Sequence, residues 1–423
     1  MKVLWIVNSP LSHVRQHNRI GNLSSGSWLD AAFISLADKE IELIVLNFSK
    51  IDQSFFVGKH RFITLSGFKN TPKISQYEHK CLDRIFSSCK PDILIQWGTE
   101  YSFGLKVFTF LKDVPKGIYM QGIIGDIGTN YYSGLNQWQI LRYTTIRDII
   151  LRETLPVLKR KFIEQSVNER AYLEMARNVI LENGYSVAKL KSYYRGLTVY
   201  LSKLPIKSTF LDYEWNYDRK QPYTIMTILP SHPIKGIHIL LEAISIVKEF
   251  YPNVILKIPG TINMREKSFF SLIRMKSYIR FLKSEIYRLK LNNNIEYLRI
   301  QSSNEMGEQL SKSHVFVMPS NVENHSASLI EALTVGIPSI TSDCGGVKEI
   351  VDHGNTGFIY RYEEYELLAS YILKLFASPD LAKRMGALAR EFTVKSRFST
   401  DESQNMLKIY REIIINSKDR SHH

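Results

Sequence analysis

The sequence predicts an α/β protein with two domains, each built on a doubly wound parallel sheet that helices cover on both faces. A chain of 423 residues is too long for one hydrophobic core and long enough for two. Short apolar runs alternate with amphipathic stretches, which is typical of parallel sheets buried on both faces. The composition, 44% hydrophobic and 23% charged, is that of a globular protein rather than a disordered one.

The apolar runs that we interpret as strands fall into two sets. The first half contains runs at 3–8, 41–48, 92–96, 117–120 and 178–181. The second half contains runs at 223–229, 254–258, 295–298, 314–318, 338–341 and 358–360. Residues 204–222 are rich in Lys, Asp, Tyr and Pro, and their apolar residues follow neither the helical nor the strand period. We therefore expect domains at 1–203 and 223–396, a linker at 204–222 and a final helix within 397–423.

The net charge of +14 is concentrated in two stretches. Residues 142–207 hold 13 basic and 6 acidic residues, and residues 263–290 hold 8 and 2, which together account for nearly all of it. Parts of both, 142–161 and 265–290, have the pattern of basic amphipathic helices, which commonly lie on anionic bilayers. Ordinary helices whose apolar faces meet the core are the alternative. No nucleic-acid-binding motif accompanies either stretch, so nucleic acid is not an expected partner.

Other features of the sequence indicate the cellular compartment of the protein. No run approaches the ~18 apolar residues of a membrane span, and the opening strand-like segment is too short for a signal peptide. Cys81, Cys89 and Cys344 lack CxxC spacing and are odd in number, which argues against a disulfide framework or a thiolate metal site. We expect a cytoplasmic protein that can also bind peripherally to the inner membrane face.

The clearest motif is PSNVENHSASLIEALTVGIP at 319–338. A strand ends before it, and Asn324, His325 and Ser326 stand where a helix should begin. Free N–H groups at a helix N-terminus form an anion site suited to a diphosphate. Glu323 precedes the helix and Glu331 lies farther along it, so one carboxylate can accept hydrogen bonds from a sugar and the other from a ribose. Two glutamates at this spacing also arise by chance, and residues 328–331 fit a capping box.

Further candidates follow neighbouring strands. Lys235 stands in a PIKG turn between the run 223–229 and a predicted helix at 237–250. Gly345 and Gly346 follow the run 338–341 as a turn whose backbone could approach a ligand closely. A lysine before a helix is otherwise most often simply exposed.

These motifs resemble glycosyltransferase family four, whose members are retaining enzymes with the GT-B fold. The similarity covers 227–360 well and consists of the E-x7-E pair within PS-x-x-EN, the G-x-P at 336–338, the glycine pair with Glu349 after it, and HGNTGF at 353–358. Residues 120–122 and 131–134 look like the branch that builds bacterial surface polysaccharides. The resemblance implies two Rossmann-like domains facing a cleft, with the C-terminal helix crossing back to the N-terminal domain.

The resemblance also implies residue roles. Glu323 would contact the donor sugar, Glu331 the ribose and Lys235 the donor phosphates. The donor pocket would include Asn324, His325, Ser326, Gly345 and Gly346. Relatives commonly carry an arginine shortly before the lysine, where this chain has PSH at 230–232. His232 or another basic residue would replace it, or Lys235 would act alone.

The N-terminal half carries weaker signals for acceptor binding. Gln121 stands where many relatives place a histidine. Gly26 and Ser27 keep half of the glycine signature after the first strand, although a Ser/Gly cluster before Trp28 is also simply a helix start. His13 and Arg15, in a loop after that strand, are candidate acceptor contacts, and an exposed loop without a ligand is equally consistent with them.

The implied activity is transfer of a hexosyl group from a nucleoside-diphosphate sugar, UDP more than GDP, to a hydroxyl of a glycan or lipid-linked saccharide. Capsule or exopolysaccharide synthesis is the implied setting. No Asp-x-Asp motif occurs in the sequence, so we expect neither a metal nor a cofactor. A nucleotide-sugar epimerase, a glycosidase and a non-enzymatic protein that binds membranes or nucleic acid remain alternatives.

Overall fold

The computed structural model describes residues 1–17, 27–260, 275–299, 302–398 and 401–419. The chain divides into two compact units. Unit 1 comprises Met1–Gly125, Phe162–Pro205 and Thr400–His423, and unit 2 comprises Asp126–Lys161 and Ile206–Ser399. Residues 126–161 were predicted to lie in the first domain, and the division instead groups them with the second half of the chain.

Unit 1 is built on an eight-stranded sheet. Its strands are β1 Lys2–Val7, β2 Glu42–Phe48, β3 Gln53–Val57, β4 His60–Leu65, β5 Ile93–Trp97, β6 Lys116–Tyr119, β7 Asn178–Leu181 and β8 Thr198–Leu201. The order across the sheet is β3-β4-β2-β1-β5-β6-β7-β8, parallel except for the antiparallel pair of β3 and β4. The five runs predicted here match strands to within one residue, whereas β3, β4 and β8 were missed.

Unit 2 is built on a six-stranded parallel sheet. Its strands are β9 Thr224–Thr227, β10 Ile255–Pro259, β11 Ile295–Leu298, β12 Val315–Met318, β13 Ser339–Ser342 and β14 Phe358–Tyr360. The order is β11-β10-β9-β12-β13-β14, so the direction of winding reverses between β9 and β12. Open α/β sheets bind ligands beyond the carboxyl ends of the strands at such a reversal.

Helices pack against these sheets. In chain order the described helices are α1 Ser12–His17, α2 Ser27–Ala37, α3 Gln76–Phe86, α4 Phe103–Phe110, α5 Ile124–Thr129, α6 Gln137–Tyr143, α7 Ile146–Ile150, α8 Leu155–Ala176, α9 Gly184–Tyr193, α10 Ile237–Phe250, α11 Ser277–Arg288, α12 Ser303–Lys312, α13 Ala327–Val335, α14 Tyr365–Ala377, α15 Pro379–Phe398 and α16 Glu402–Asp419. None of them is both long and apolar enough to cross a bilayer.

The final helix belongs to unit 1. Met406, Tyr410 and Ile413 of α16 are fully buried in one core cluster with Trp5 of β1 and Trp97 of β5. The helix therefore covers one face of the eight-stranded sheet. The three cysteines are all free and buried.

Residues 126–161 are bonded to the rest of unit 2 through side chains. Ser133 accepts hydrogen bonds at its carbonyl from His238 Nε2 at 2.9 Å and from the Tyr362 hydroxyl at 3.1 Å. The Asp148 carboxylate accepts one from the Ser277 backbone N–H at 2.6 Å. The sequence predicted a helix through 142–161, but the chain forms α6, α7 and the start of α8 because Thr145 caps a new helix.

Candidate functional site

The turn after β9 closes against the end of β12. It is a 3-10 turn, Pro233–Lys235, followed by Gly236 at φ +64° and then α10. A Cβ on Gly236 would lie 1.8 Å from the Pro319 carbonyl oxygen, so only glycine permits this approach. The Asn321 N–H donates to the Ile234 carbonyl at 2.8 Å, which fixes the two loops to each other.

This approach brings Lys235 and Glu323 together. The Lys235 ammonium donates to Oε1 of Glu323 at 2.5 Å, and the Ser320 hydroxyl donates to the same oxygen at 2.8 Å. Both charged side chains are mostly buried. A partly buried ion pair needs such added hydrogen bonds to offset the hydration it loses. The two residues predicted to be catalytic are therefore direct neighbours at the reversal point of the sheet.

The helix after Glu323 begins at the predicted position. Ser326 is the N-cap of α13, and its hydroxyl accepts a hydrogen bond from the Leu329 N–H at 3.3 Å. Asn324 and Ser326 are buried. First-turn N–H groups have no partner within their helix, and the helix dipole adds partial positive charge there. An anion at this end would be stabilised by the backbone as well as by Lys235.

Glu331 lies one turn into α13 and is strongly desolvated. Burial raises the pKa of its carboxyl to about 8, although Lys207 acts in the opposite direction. The carboxyl group is therefore largely protonated at neutral pH. The Glu331 side chain as a whole is partly buried. A carboxyl with a raised pKa is more typical of a ligand site than of a surface cap.

The glycine turn after β13 contacts the backbone of the same loop. Gly345 has φ +55°, and a Cβ there would lie 1.6 Å from the Glu323 carbonyl oxygen. The Gly346 N–H donates to the Asn324 carbonyl at 3.4 Å. Burial, with a further contribution from Glu323, raises the pKa of the Cys344 thiol to about 12, so the thiol stays protonated.

His232 is partly buried and uncharged. Its Nδ1 lies 2.9 Å from the Tyr131 hydroxyl, and desolvation, reinforced by Lys276 and Lys235, lowers its pKa to about 4. The imidazole therefore does not replace the positive charge of the arginine that relatives carry shortly before the lysine. A different cation, Arg397 of α15, lies 2.6 Å from His325 Nε2.

Some residues of this site carried no predicted role. Ser320 and Tyr131 stand in motifs that the sequence displays, PS-x-x-EN and YYSG, but only the structure shows that they bond Glu323 and His232. Arg397 has no sequence signal, since it lies 72 positions beyond its partner.

The predicted acceptor residues belong to unit 1 and do not all lie as expected. His13 and Arg15 lie in helix α1 rather than in a loop. The His13 ring packs against Phe33 and Phe62 with centroids 5.2 and 5.5 Å away. Arg15 is buried, and desolvation lowers its pKa while Asp30 raises it.

The remaining acceptor candidates are less defined. Gly26 lies outside the described residues. Ser27 is the first residue of α2, and nothing is described of its side chain. Gln121 follows β6 and is partly buried.

A polar cluster in unit 1 was not predicted. It lies beyond the carboxyl ends of β1 and β5, where the strand order of this sheet reverses. Asn8 donates to the Glu100 carboxylate, and Glu169 accepts from Thr99 Oγ1 at 3.2 Å and from the Ile124 N–H at 2.9 Å. Burial raises the pKa of Glu169 to about 7. An acidic residue four positions after the predicted run 92–96 was the signal available at Glu100.

Within the part of the chain that the structure describes, no three His, Cys, Asp or Glu side chains converge as metal ligands would. At the site in unit 2, Lys235 is a cation held beside Glu323. Together with the amides of α13, it can stabilise negative charge that grows on a bound phosphate.

Comparison with known proteins places these features in a family context. Residues 218–392 match the family model described as "Glycosyl transferases group 1". The chain is 26% identical over 182 residues to spore coat protein SA of Bacillus subtilis, a match that covers 42% of this chain and 46% of that protein. This chain thus matches less than half of that relative's length.

Solved structures resemble the fold over nearly the whole chain. Sucrose-phosphate synthase from Thermosynechococcus elongatus superposes with a TM-score of 0.72 at 15% identity, covering 98% of this chain and 100% of that one. Anabaena Alr3699/HepE in complex with UDP-glucose superposes with a TM-score of 0.65 at 15% identity, covering 99% and 100%.

The fold is therefore GT-B, with two α/β units on eight- and six-stranded sheets. Residues 218–392 carry a glycosyltransferase group 1 domain, which contains Lys235, Glu323 and Glu331 and indicates a transferase.

Proposed function

We propose that the protein is a retaining glycosyltransferase that moves a sugar from a nucleoside-diphosphate sugar to a hydroxyl of a glycan or lipid-linked saccharide. The observation that carries the proposal is the Lys235–Glu323 pair at the N-terminal end of α13. It combines a cation, open backbone amides and a carboxylate at the reversal point of the sheet. UDP is favoured over GDP, and Alr3699/HepE, a fold neighbour, binds UDP-glucose.

The donor phosphates bind at Lys235 and the first turn of α13. As the bond from the anomeric carbon to the phosphate oxygen breaks, the bonding pair leaves with the nucleoside diphosphate. The growing negative charge meets the Lys235 ammonium and the helix amides, which are already oriented. Stabilisation that is stronger in the transition state than in the ground state is what accelerates the reaction.

Retention follows from attack on the face from which the phosphate departs. The acceptor hydroxyl forms the new bond to the anomeric carbon, and its proton passes to an oxygen of the leaving phosphate. Glu323 is not a nucleophile in this scheme, because the Lys235 and Ser320 contacts hold its carboxylate as a hydrogen-bond acceptor for sugar hydroxyls. Glu331 binds the ribose. We expect no metal ion or cofactor to be needed.

The acceptor is proposed to bind in unit 1. The polar cluster of Asn8, Glu100 and Glu169 and the side chain of Gln121 are the candidate acceptor contacts. Bacterial cell-surface polysaccharide synthesis, as capsule or exopolysaccharide, is the proposed setting. Its lipid-linked intermediates would place the protein on the cytoplasmic side of the inner membrane.

Nucleotide selectivity tests the donor site. Thermal unfolding is followed with UDP, GDP, ADP and CMP at equal concentrations. A genuine donor pocket gives a selective rise in Tm, because ligand binding to the folded state alone stabilises it. We expect UDP to give the largest rise, and equal or absent shifts with all four nucleotides would contradict a donor site.

The chemistry itself is tested by incubating the protein with UDP-glucose and related labelled sugar nucleotides together with extracted lipid-linked saccharides. Sugar transfer with retained anomeric configuration, read by NMR of the product, is the expected result. Product of inverted configuration would overturn the retaining mechanism, and conversion of the free donor to its epimer would favour the epimerase alternative.

A further inference from the structure

A cluster of large apolar side chains lies exposed on α6 and α7 in unit 2. Trp138 is 61% exposed, Leu141 75% and Ile150 72%. The full set, here called the α6–α7 patch, consists of Trp138, Leu141, Ile146, Ile149, Ile150 and Leu151, each more than half exposed. Scattered apolar residues are normal on a surface, but six within 14 consecutive positions mark an interaction site.

The two helices present this patch away from the rest of unit 2. Ile140 of α6 and Asp148 of α7 point inward and are buried. Both helices are attached to the same helix, α11: the Tyr143 hydroxyl lies 2.9 Å from Ser284 Oγ, and the Ser277 N–H donates to Asp148 at 2.6 Å. Five patch residues lie on these helices and Leu151 follows α7 directly, and all six are exposed where Ile140 and Asp148 are buried. Their exposure therefore follows from how the helices are anchored.

Positive charge surrounds the apolar residues. The Arg142 guanidinium lies 4.6 Å from the centre of the Trp138 ring, and Arg152 follows the patch as an exposed residue. Arg280 of α11 is exposed and donates to the Thr144 carbonyl between the two helices at 3.3 Å. The one acid within 138–152, Asp148, is buried and turned inward. Directly after this segment, Glu153 is paired with Arg147 at 2.8 Å, so Arg142, Arg152 and Arg280 leave the outward charge at the patch positive.

We infer that the α6–α7 patch docks the protein on an anionic phospholipid bilayer. Apolar side chains with an amphipathic tryptophan enter the interface, and arginines at their border contact lipid phosphates. This inference is independent of the proposed sugar transfer. It also distinguishes between the two basic stretches of the sequence.

The second stretch behaves differently where the structure describes it. The aliphatic residues of α11 and Phe281 are buried, although Tyr287 is 77% exposed, so this helix packs against the protein core. Over 277–288, the basic amphipathic pattern of 265–290 therefore corresponds to an ordinary helix that faces the core. Its contribution to bilayer binding comes from exposed cations such as Arg280.

Vesicle co-sedimentation of the full chain tests the inference. Vesicles of phosphatidylcholine with phosphatidylglycerol are compared with vesicles of phosphatidylcholine alone, at low and at high salt. We expect binding to the anionic vesicles that weakens with salt, since electrostatic attraction to the headgroups is screened. Failure to bind anionic vesicles at low salt overturns the inference.

Two variants separate the apolar and electrostatic contributions. I149S/I150S and R142Q/R152Q change exposed side chains, so both should keep the wild-type Tm. Each should lower the partition coefficient by at least about tenfold, because each removes two side chains that enter or face the headgroup region. Ile34 on α2 is equally exposed at 62%, so I34S is the matched control and should bind as wild type. Equal loss in the control would overturn the assignment to this patch.

Tryptophan fluorescence locates the contact. Of the five tryptophans, Trp138 alone is more than half exposed, so a blue shift on adding anionic vesicles should disappear in W138F while sedimentation persists. Sedimentation velocity tests a second copy as the occupant. If the wild type is a dimer, I149S/I150S converts it to a monomer, and the wild type does not bind vesicles, the patch is a self-association surface instead.

Discussion

The Lys235 ammonium and the Glu323 carboxylate form a 2.5 Å ion pair although 88 residues separate them. The pair exists because β9 and β12 are adjacent parallel strands whose carboxyl ends meet, and because Gly236 allows the first turn to touch the second. In the proposed mechanism a donor diphosphate takes over part of the Lys235 interaction. This relationship leads to the first of the testable consequences.

Lys235→Ala and Glu323→Gln should each lower kcat for sugar transfer by about 100- to 1,000-fold, the usual loss when a preorganised charge or hydrogen bond at the reacting group is removed. Transfer kinetics and thermal unfolding are measured in parallel. The matched controls are Lys312→Ala and Glu308→Gln, since these residues form an exposed ion pair in the same unit and lie in α12. Wild-type turnover in both site variants would remove the catalytic assignment.

Glu331→Gln should stabilise the empty protein while weakening UDP binding. Folding raises the pKa of this carboxyl from 4.5 to about 8, so its favourable contribution is complete below about pH 4.5 and is lost as the pH rises toward 8. Removing the titrating group should therefore raise Tm most at pH 8 and above. Wild-type affinity for UDP, measured by calorimetry, should increase with pH up to about 8, because an ionised carboxyl accepts hydrogen bonds from both ribose hydroxyls. A variant with lower Tm and unchanged affinity contradicts this role.

His232→Gln should keep transfer activity within about threefold of wild type. The imidazole has a pKa of about 4 and is uncharged at neutral pH, so no positive charge is lost. The wild-type pH profile of kcat/KM should accordingly show no step between about pH 5.5 and 7.5 that His232→Gln abolishes. Such a step would mean that the histidine, and not Lys235 alone, neutralises the phosphates.

Gly345→Ala should abolish the Tm increase caused by UDP. An added Cβ would collide with the Glu323 carbonyl oxygen, so the loop carrying Glu323 must move. Gly354→Ala is the control, because Gly354 also has positive φ, at +86°, but open space around its Cβ position. Both substitutions carry the backbone cost of a left-handed alanine, so only the collision distinguishes them. Equal responses to UDP in the two variants would contradict the role of this close contact.

Much of the fold could be predicted because buried parallel strands are continuous apolar runs. The strands around Trp5 and Val317 are examples, and their positions were predicted to within one residue. Strand β3 was missed because its side chains alternate in exposure at the sheet edge, without a fully apolar run. The nearness of Lys235 and Glu323 was predictable in outline, since lysine and glutamate follow strands whose carboxyl ends meet at one sheet edge.

Contacts between distant side chains could not be predicted. The membership of residues 126–161 in unit 2 depends on hydrogen bonds such as those of Ser133 with His238 and Tyr362. No local sequence pattern predicts these bonds. The position of these residues along the chain favoured their assignment to the first domain. The charge state of His232 likewise depends on its burial beside Tyr131, and the Arg397 contact with His325 depends on how α15 packs.

A crystal structure of the protein with UDP tests the central claim most directly. The account predicts the diphosphate within hydrogen-bonding distance of Lys235 Nζ and the first-turn amides of α13, with ribose hydroxyls on the Glu331 carboxylate. UDP bound elsewhere, or bound in unit 2 without contact to any of these three groups, would contradict it.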